Sequence, residues 1–225
     1  MYRYKLDIEK YTRRWNCPLS DIGFSRSAEL ELRRYLDGTL KVVLTDLVQI
    51  RRLGEQKREE NLRFRKHLKS HVFVERQFRK AAQEVEDAID CQACAECCRV
   101  TEVQLVERDV AKLARFLGMT EHEFMRDHTA LDEDGAAILK RVPSKDAGAK
   151  PGSKPGDMAC EFLDGNECTV YEARPTNCER FPHLVRGAGS LEARMWAFVD
   201  RATYCPIVYN WMETVKGLTK FVSKK

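Results

Sequence analysis

Four cysteines fall within eight residues of this chain, as Cys91-x2-Cys94-x2-Cys97-Cys98. Thiols so close in sequence must be close in space, and this limits the fold more than any other feature. The vicinal pair suits a disulfide framework poorly, and the total of nine cysteines is odd. Two residues between cysteines let the chain curl until both sulfurs face one ion, with backbone N–H groups turned toward the sulfurs. Packing as small buried hydrophobes is the plain alternative, since free cysteine packs well. It does not account for the clustering, because the intervening residues Gln92, Ala93, Ala95 and Glu96 are small or polar. A thioredoxin-like redox pair fits no better, because a helical pattern rather than a βαβ unit precedes Cys91. The run predicts a metal site.

The later cysteines extend it, as Cys160-x7-Cys168-x9-Cys178 and then Cys205 followed by Pro206. Cys17 stands apart and is expected to be packed or free. The chain opens without an apolar run and holds no stretch of roughly 18 apolar residues, so a cytoplasmic location and no membrane contact are expected. In that reducing compartment clustered thiols are ligands more often than disulfide partners. Cys91-x2-Cys94-x2-Cys97 with a remote Cys-Pro follows the ferredoxin pattern around a [4Fe–4S] cluster. Zinc prefers paired Cys-x2-Cys units, and no second unit is present. An iron–sulfur cluster is the favoured cofactor and zinc the alternative. Thiolates around either leave net negative charge, which Arg99, Arg174 and Arg180, each within four residues of a ligand cysteine, can offset. Arg174 lies between Cys168 and Cys178 and is the one expected to support the cofactor by contact with the sulfurs.

The run Cys91–Cys98, with Cys160 to Pro182 and its Arg174-Pro175, resembles the CxxCxxCC cysteine-cluster family, the YkgJ-like zinc- or iron-chelating domain. The likeness covers residues 91 to about 206. It implies a metal and a ligand set of Cys91, Cys94, Cys97, Cys98, Cys160, Cys168, Cys178 and Cys205. Where other copies often carry glycine before the vicinal pair, this chain has Glu96, which is expected to alter that turn.

The expected architecture is helix-rich α+β, with a helical N-terminal extension over 1–90 and a small, irregular, metal-stabilised cysteine domain over 91–225. No proline occurs from Leu19 to Val142, which permits long helices. Ser27 can cap a helix to Leu36, ended by Gly38. Leu40, Val43, Leu47 and Ile50 share a helical face, as do Phe78, Ala82, Val85 and Ile89. Val100 to Leu105 alternates and predicts a strand. A helix is expected from Glu107 to Phe116, ended by Gly118, and another after Thr120, with Glu123 completing a capping box. Ala136 to Arg141 reads as a strand and Ser144 to Asp157 as a mobile loop. Pro206 opens a closing helix that runs through Val215 and stops at Gly217.

Two parity arguments bear on the metal. Neighbouring side chains of an extended chain point to opposite sides, so Cys97 and Cys98 are expected to serve two centres. Around the Asp164-Gly165 turn, an even-length loop sets Leu163 opposite Cys168 with Cys160 on the other face; a three-residue loop with a bulge puts Cys160 and Cys168 on one face.

Other candidates carry less. His183 reads as a surface histidine more readily than as a Cys₃His ligand. His67 and His71 share a helix face but lack an acidic third ligand. Arg51 to Lys69 is basic, yet Glu55, Glu59 and Glu60 interleave; a solvated helix with i,i+4 pairs outweighs nucleic-acid binding. Trp196, Tyr209 and Trp211 are expected in the core. Three functions follow in order: an iron–sulfur protein for electron transfer or redox sensing; a structural zinc module presenting its N-terminal helices to a protein partner; and a methyltransferase-related enzyme component. The last follows from a similar cysteine domain in flagellin lysine methylases, which use S-adenosylmethionine. No catalytic constellation appears beyond the metal site.

Overall fold

The computed structural model describes residues 43–143 and 158–222. Expectations concerning Cys17, the helix from Ser27 to Leu36, Leu40 and the loop from Ser144 to Asp157 lie outside the described residues. Helices α1 (Leu47–Gln56), α2 (Arg58–Lys69) and α3 (Glu75–Asp87) precede the cysteine run, which forms α4 (Cys91–Cys94) and α5 (Glu96–Val100). Helices α6 (Glu107–Leu117) and α7 (Glu121–His128) lead into short antiparallel pairs. These are β1 (Thr129–Leu131) with β2 (Ala137–Leu139), β3 (Arg141–Pro143) with β4 (Met158–Cys160), and β5 (Leu163–Asp164) with β6 (Glu167–Cys168). Helices α8 (Thr176–Arg180), α9 (Met195–Arg201) and α10 (Pro206–Leu218) close the chain. The fold is helix-rich α+β, and no described helix is long and apolar enough to cross a membrane.

The elements follow from their patterns. The Asp46 carboxylate accepts the Gln49 N–H at 2.8 Å and starts α1. Phe78, Ala82 and Val85 are buried along one face of α3, and Ile89 extends that face. Pro206 occupies the first turn of α10, where its missing N–H costs nothing. Thr120 and Glu123 form the capping box of α7, and Gly118 ends α6 with φ +73°.

Three apolar clusters result. The largest joins α2 and α3 to α9 and α10 through Phe64, Phe78, Val85, Phe198 and Trp211, and it includes Cys205. Trp211 is fully buried and donates its indole N–H to the Phe78 carbonyl at 3.0 Å. This core spans both sides of residue 90, and residues 43–225 form one compact unit. A second cluster joins α6, α7 and β2 with Phe162 and Val170, and Cys160 and Cys168 pack against it. The smallest is Ala95, Ala159 and Leu163, against which Cys98 and Cys160 pack.

Several expectations are corrected. Val100 to Leu105 is no strand: Val100 ends α5, and the segment makes a single bridge, Gln104 to Ile138. Ile138 is already paired with Ala130 of β1, and Arg141 occupies the carbonyls of Arg99 and Thr101 at 2.7 Å each. The strand expected over Ala136 to Arg141 divides at Lys140 between two partners. Helix α10 runs through Gly217 to Leu218, since Gly217 does not take the left-handed conformation that ends a helix. Trp196 is 56% exposed, with the Arg65 guanidinium 3.9 Å above its ring, whereas Tyr209 and Trp211 are buried. Charges of α2 reach across to the C-terminal helices: Arg58 pairs with Asp200, and Lys216 with Glu60.

Candidate metal centre

The cysteine run is two helical turns separated by one left-handed residue. Asp90 accepts the Gln92 N–H at 2.9 Å and starts the first turn. The Ala95 N–H returns to the Cys91 carbonyl at 3.0 Å, and Ala95 takes φ +48°. The Cys98 N–H donates to the Ala95 carbonyl at 3.2 Å and opens the second turn. The left-handed position is therefore Ala95, one residue before the unusual Glu96. Glu96 is 1% exposed and pairs with Arg51, tying the run to α1. Cys97 and Cys98 are consecutive in a helix, and their Sγ atoms lie 4.0 Å apart. The parity argument assumed an extended chain and does not apply to them.

Cys160 ends β4 opposite Arg141. Cys168 faces Leu163 across a two-residue turn, as the even-length loop requires. That parity does not reach Cys160, because the chain turns at Glu161 and Phe162 between β4 and β5. Cys160 and Cys168 pack against the same cluster. Cys178 sits within α8, and Cys205 precedes Pro206 and is 6% exposed. None of these eight cysteines is in a disulfide.

Their ionisation reflects burial and crowding. Burial pushes Cys160 and Cys205 up to about 12 and Cys91 to about 11, and nearby thiols add to each shift. Cys168 and Cys178 are raised by burial too, each further by the Cys98 charge. Within the vicinal pair, Cys98 falls to about 7 because the Cys97 thiol donates to it, with help from Arg99 and Arg174. Cys97 correspondingly holds its proton.

Arg174 is the cation common to the group. Its charge favours the thiolates of Cys91, Cys98, Cys168 and Cys178. The guanidinium stacks 3.5 Å above the Tyr171 ring and donates to the Tyr171 carbonyl at 3.0 Å, which fixes it there. Arg99 acts on Cys98 and also ties the run to the β5–β6 turn, donating to the Gly165 carbonyl and to Asn166 Oδ1. Arg180 lines the cleft described below. His183 lines it too, its pKa depressed to about 4 by burial and by Arg201, Arg194 and Arg180.

Sequence reasoning missed three residues that hold the cysteine segments. Asn166 donates to the Ala93 carbonyl at 2.8 Å. Arg141 clamps the carbonyls of Arg99, Thr101 and Met158. Asp109, 2% exposed, accepts from Thr176 N–H at 3.0 Å and Thr176 Oγ1 at 2.8 Å, anchoring the helix that carries Cys178. Asp109 is legible as an acid in a first helical turn, but its partner 67 residues away is not. The rings of His67 and His71 meet at a tilt, centroids 4.1 Å apart, within an aromatic group that includes Phe64, Phe73 and Phe221.

A cleft of about 870 Å³ is lined by Cys91, Cys97, Cys98, Cys160, Cys168 and Cys178, with Arg174. Among the described residues no group of three or more His, Cys, Asp or Glu is already set to hold an ion. The thiols are near neighbours rather than a finished shell. Their chemistry nonetheless fits zinc or iron–sulfur iron: soft donors, partly buried, whose ionisation a bound cation would compensate. A family model described as "CxxCxxCC: Putative zinc- or iron-chelating domain" matches residues 90–206, just over half of the chain. Comparison with curated proteins and with solved structures returned no significant match. The chain belongs to the CxxCxxCC family, and metal chelation is the function that membership supports.

Proposed function

We propose that this chain holds iron–sulfur iron through Cys91, Cys94, Cys97, Cys98, Cys160, Cys168, Cys178 and Cys205, and serves electron transfer or redox sensing in the cytoplasm. The observation that carries the reading is the gathering of six of these thiols around one cleft, with Arg174 beside four of them. When bound, an iron–sulfur cluster supplies a one-electron couple tuned by hydrogen bonds and burial. The protein's share is to orient the sulfurs, exclude water and offset charge. Asp90, Ala95 and Arg99 shape the run; Asp109 and Arg141 hold the segments around it. Arg174 favours the thiolate form at four sulfurs, which lowers the cost of losing their protons to the solvent. Cys91 is exposed and gives the cleft an edge through which an electron partner can approach.

The ferredoxin-like spacing favours iron over zinc. Elemental analysis of anaerobically purified full-length protein decides the choice. Stoichiometric iron and sulfide, with a visible absorption that bleaches on reduction, is the expected result. Stoichiometric zinc in a colourless protein would overturn the iron–sulfur reading and leave a structural zinc module. A protein that takes up neither metal would overturn chelation itself.

A further inference from the structure

We infer that the arginine-lined end of the cleft binds a small molecule through its phosphate group, held by Arg180, Arg186 and Arg201. The inference goes beyond the chelation reading and does not depend on which metal the thiols hold.

The chain between Cys178 and Cys205 brings four guanidiniums to that end of the cleft. Arg180 ends α8, Arg186 lies in the loop that follows, Arg194 precedes α9 and Arg201 ends it. Arg194, Ala197 and Arg201 are spaced by three and four residues, so they fall on one helix face, and all three line the cleft. Arg194 and Arg201 are half-buried. Among the described residues none of the four forms an ion pair. Arg51, Arg58, Arg79 and Arg126, by contrast, each have a carboxylate partner. A cation partly withdrawn from water and left unpaired is costly, and crowding several together adds to the cost. Burial and the charges of Arg79 and Arg201 accordingly lower the pKa of Arg194. Arg201, Arg194 and Arg180 also converge on His183 and help keep its ring neutral.

The acids nearby are engaged elsewhere. Glu179 pairs with Lys112, Asp90 accepts the Gln92 N–H, and Asp132 accepts from Gln104. Glu75, close to Arg194, is taken by Arg79 at 2.7 Å. Glu86 accepts the Val185 N–H at 3.4 Å, and burial pushes its carboxyl up, toward the neutral form. Arg194 is fully engaged as well, donating to the carbonyls of His183, Ser190 and Gly189, so it adds charge and pins the loop. Arg180 donates to nothing among the described residues. Arg186 reaches only the Glu179 carbonyl at 3.4 Å, and Arg201 gives one nitrogen to the Pro182 carbonyl at 3.0 Å. Donors therefore remain on these three. Forked guanidiniums match phosphate oxygens. A phosphate monoester carries about −1.5 to −2 charges near pH 7, which suits several cations better than a singly charged carboxylate. At about 870 Å³ the cleft has the size of a small-molecule site, far more than a phosphate group fills. The rest of the ligand would lie toward Phe162 and Tyr171, which also line it.

Isothermal titration calorimetry of anaerobically purified full-length protein, at constant ionic strength, tests this with phenyl phosphate and inorganic phosphate as probes. Saturable one-to-one binding of phenyl phosphate is expected, with inorganic phosphate weaker. Equal affinity for the two would overturn the organic ligand, and saturation by neither would overturn the site. Arg180→Gln removes no hydrogen bond of the described residues and should weaken phenyl phosphate about tenfold, the loss of one charged hydrogen bond. Arg201→Gln should do likewise, with circular dichroism reporting whether it folds. Arg115→Gln removes the same charge from an exposed position on α6 outside the cleft and should change nothing; an equal loss there would mean that net charge alone is sensed, against the site. Metal content should be the same in Arg180→Gln as in wild type. Metal lost together with phenyl phosphate would assign Arg180 to charge balance at the thiols and overturn the inference. Phenyl phosphate bound by a protein that takes up no metal would overturn chelation and leave this site standing.

Discussion

A buried carboxyl group is tolerated only when hydrogen bonds replace the water it has lost. Asp109 meets that condition with Thr176 on one oxygen and the Val106 N–H at 3.3 Å on the other. Asp109→Ala leaves the Thr176 donors without this acceptor, so a loss of about 3 kcal/mol is expected, the upper range for a charged hydrogen-bond network. Because Thr176 opens the helix holding Cys178, the variant should also retain less metal. Urea unfolding with metal analysis checks both, and Asp109→Asn should fall between; wild-type stability in Asp109→Ala would discount the anchor. His183 gives a second expectation at this scale. Its pKa is about 4 in the folded chain against an ordinary 6.5, so the unfolded chain binds the extra proton between those values. Stability contributed by the neutral ring is complete above pH 6.5 and declines as pH falls toward 4. His183→Asn, which tolerates the φ of +68°, should show a weaker loss over that window in urea melts at graded pH. Parallel pH dependences would exclude His183 as the source.

At the scale of elements, helix faces were legible where one side chain decides one position. The α3 face, the Thr120–Glu123 box and the Gly118 stop are local patterns, and all three appear. The strand expected over Val100 to Leu105 failed because alternation records only a preference: Val100 is drawn into α5, Arg141 takes the carbonyls of Arg99 and Thr101, and only Val103 and Leu105 bond to β2. Gly54 was equally illegible, since a glycine inside a helical pattern ordinarily marks weakness. Here it marks contact: a Cβ at Gly54 would lie 2.6 Å from the Ala202 oxygen and from Thr203 Cα, both backbone atoms after α9. Alanine normally gains about 1 kcal/mol over glycine in a helix. The overlap at Gly54 should reverse that sign, with overpacking costing about 1–3 kcal/mol beyond the propensity gain. Gly54→Ala is therefore expected to lower Tm in a thermal melt. A raised Tm would show that α1 does not approach Ala202 so closely.

For the whole molecule, the candidate thiols were legible because four residues of one rare type within eight leave few alternatives. Which sulfurs neighbour one another was not, because Cys205 and Cys160 belong to different apolar clusters. The same division sets how the protein should respond to metal removal. Helices α2, α3, α9 and α10 bury Phe64, Phe78, Phe198 and Trp211 together without help from any thiol except Cys205. Between them, the described residues of 91–178 have only the smaller cluster of α6 and α7 and pairs of strands two or three residues long, too short to persist alone in water. Metal bound there would contribute directly to folding, and without it the thiols, raised by burial, take their protons back and lose the bonds that joined the segments. Stripping the protein with a chelator should therefore speed amide hydrogen exchange first in residues 91–178, while α3 and α10 keep most of their protection. Exchange followed by mass spectrometry, before and after chelation, checks this region by region. A uniform rise across both parts would mean that the shared helical core depends on the metal as much as the cysteine segments do, and no rise anywhere would mean that metal contributes little to the fold.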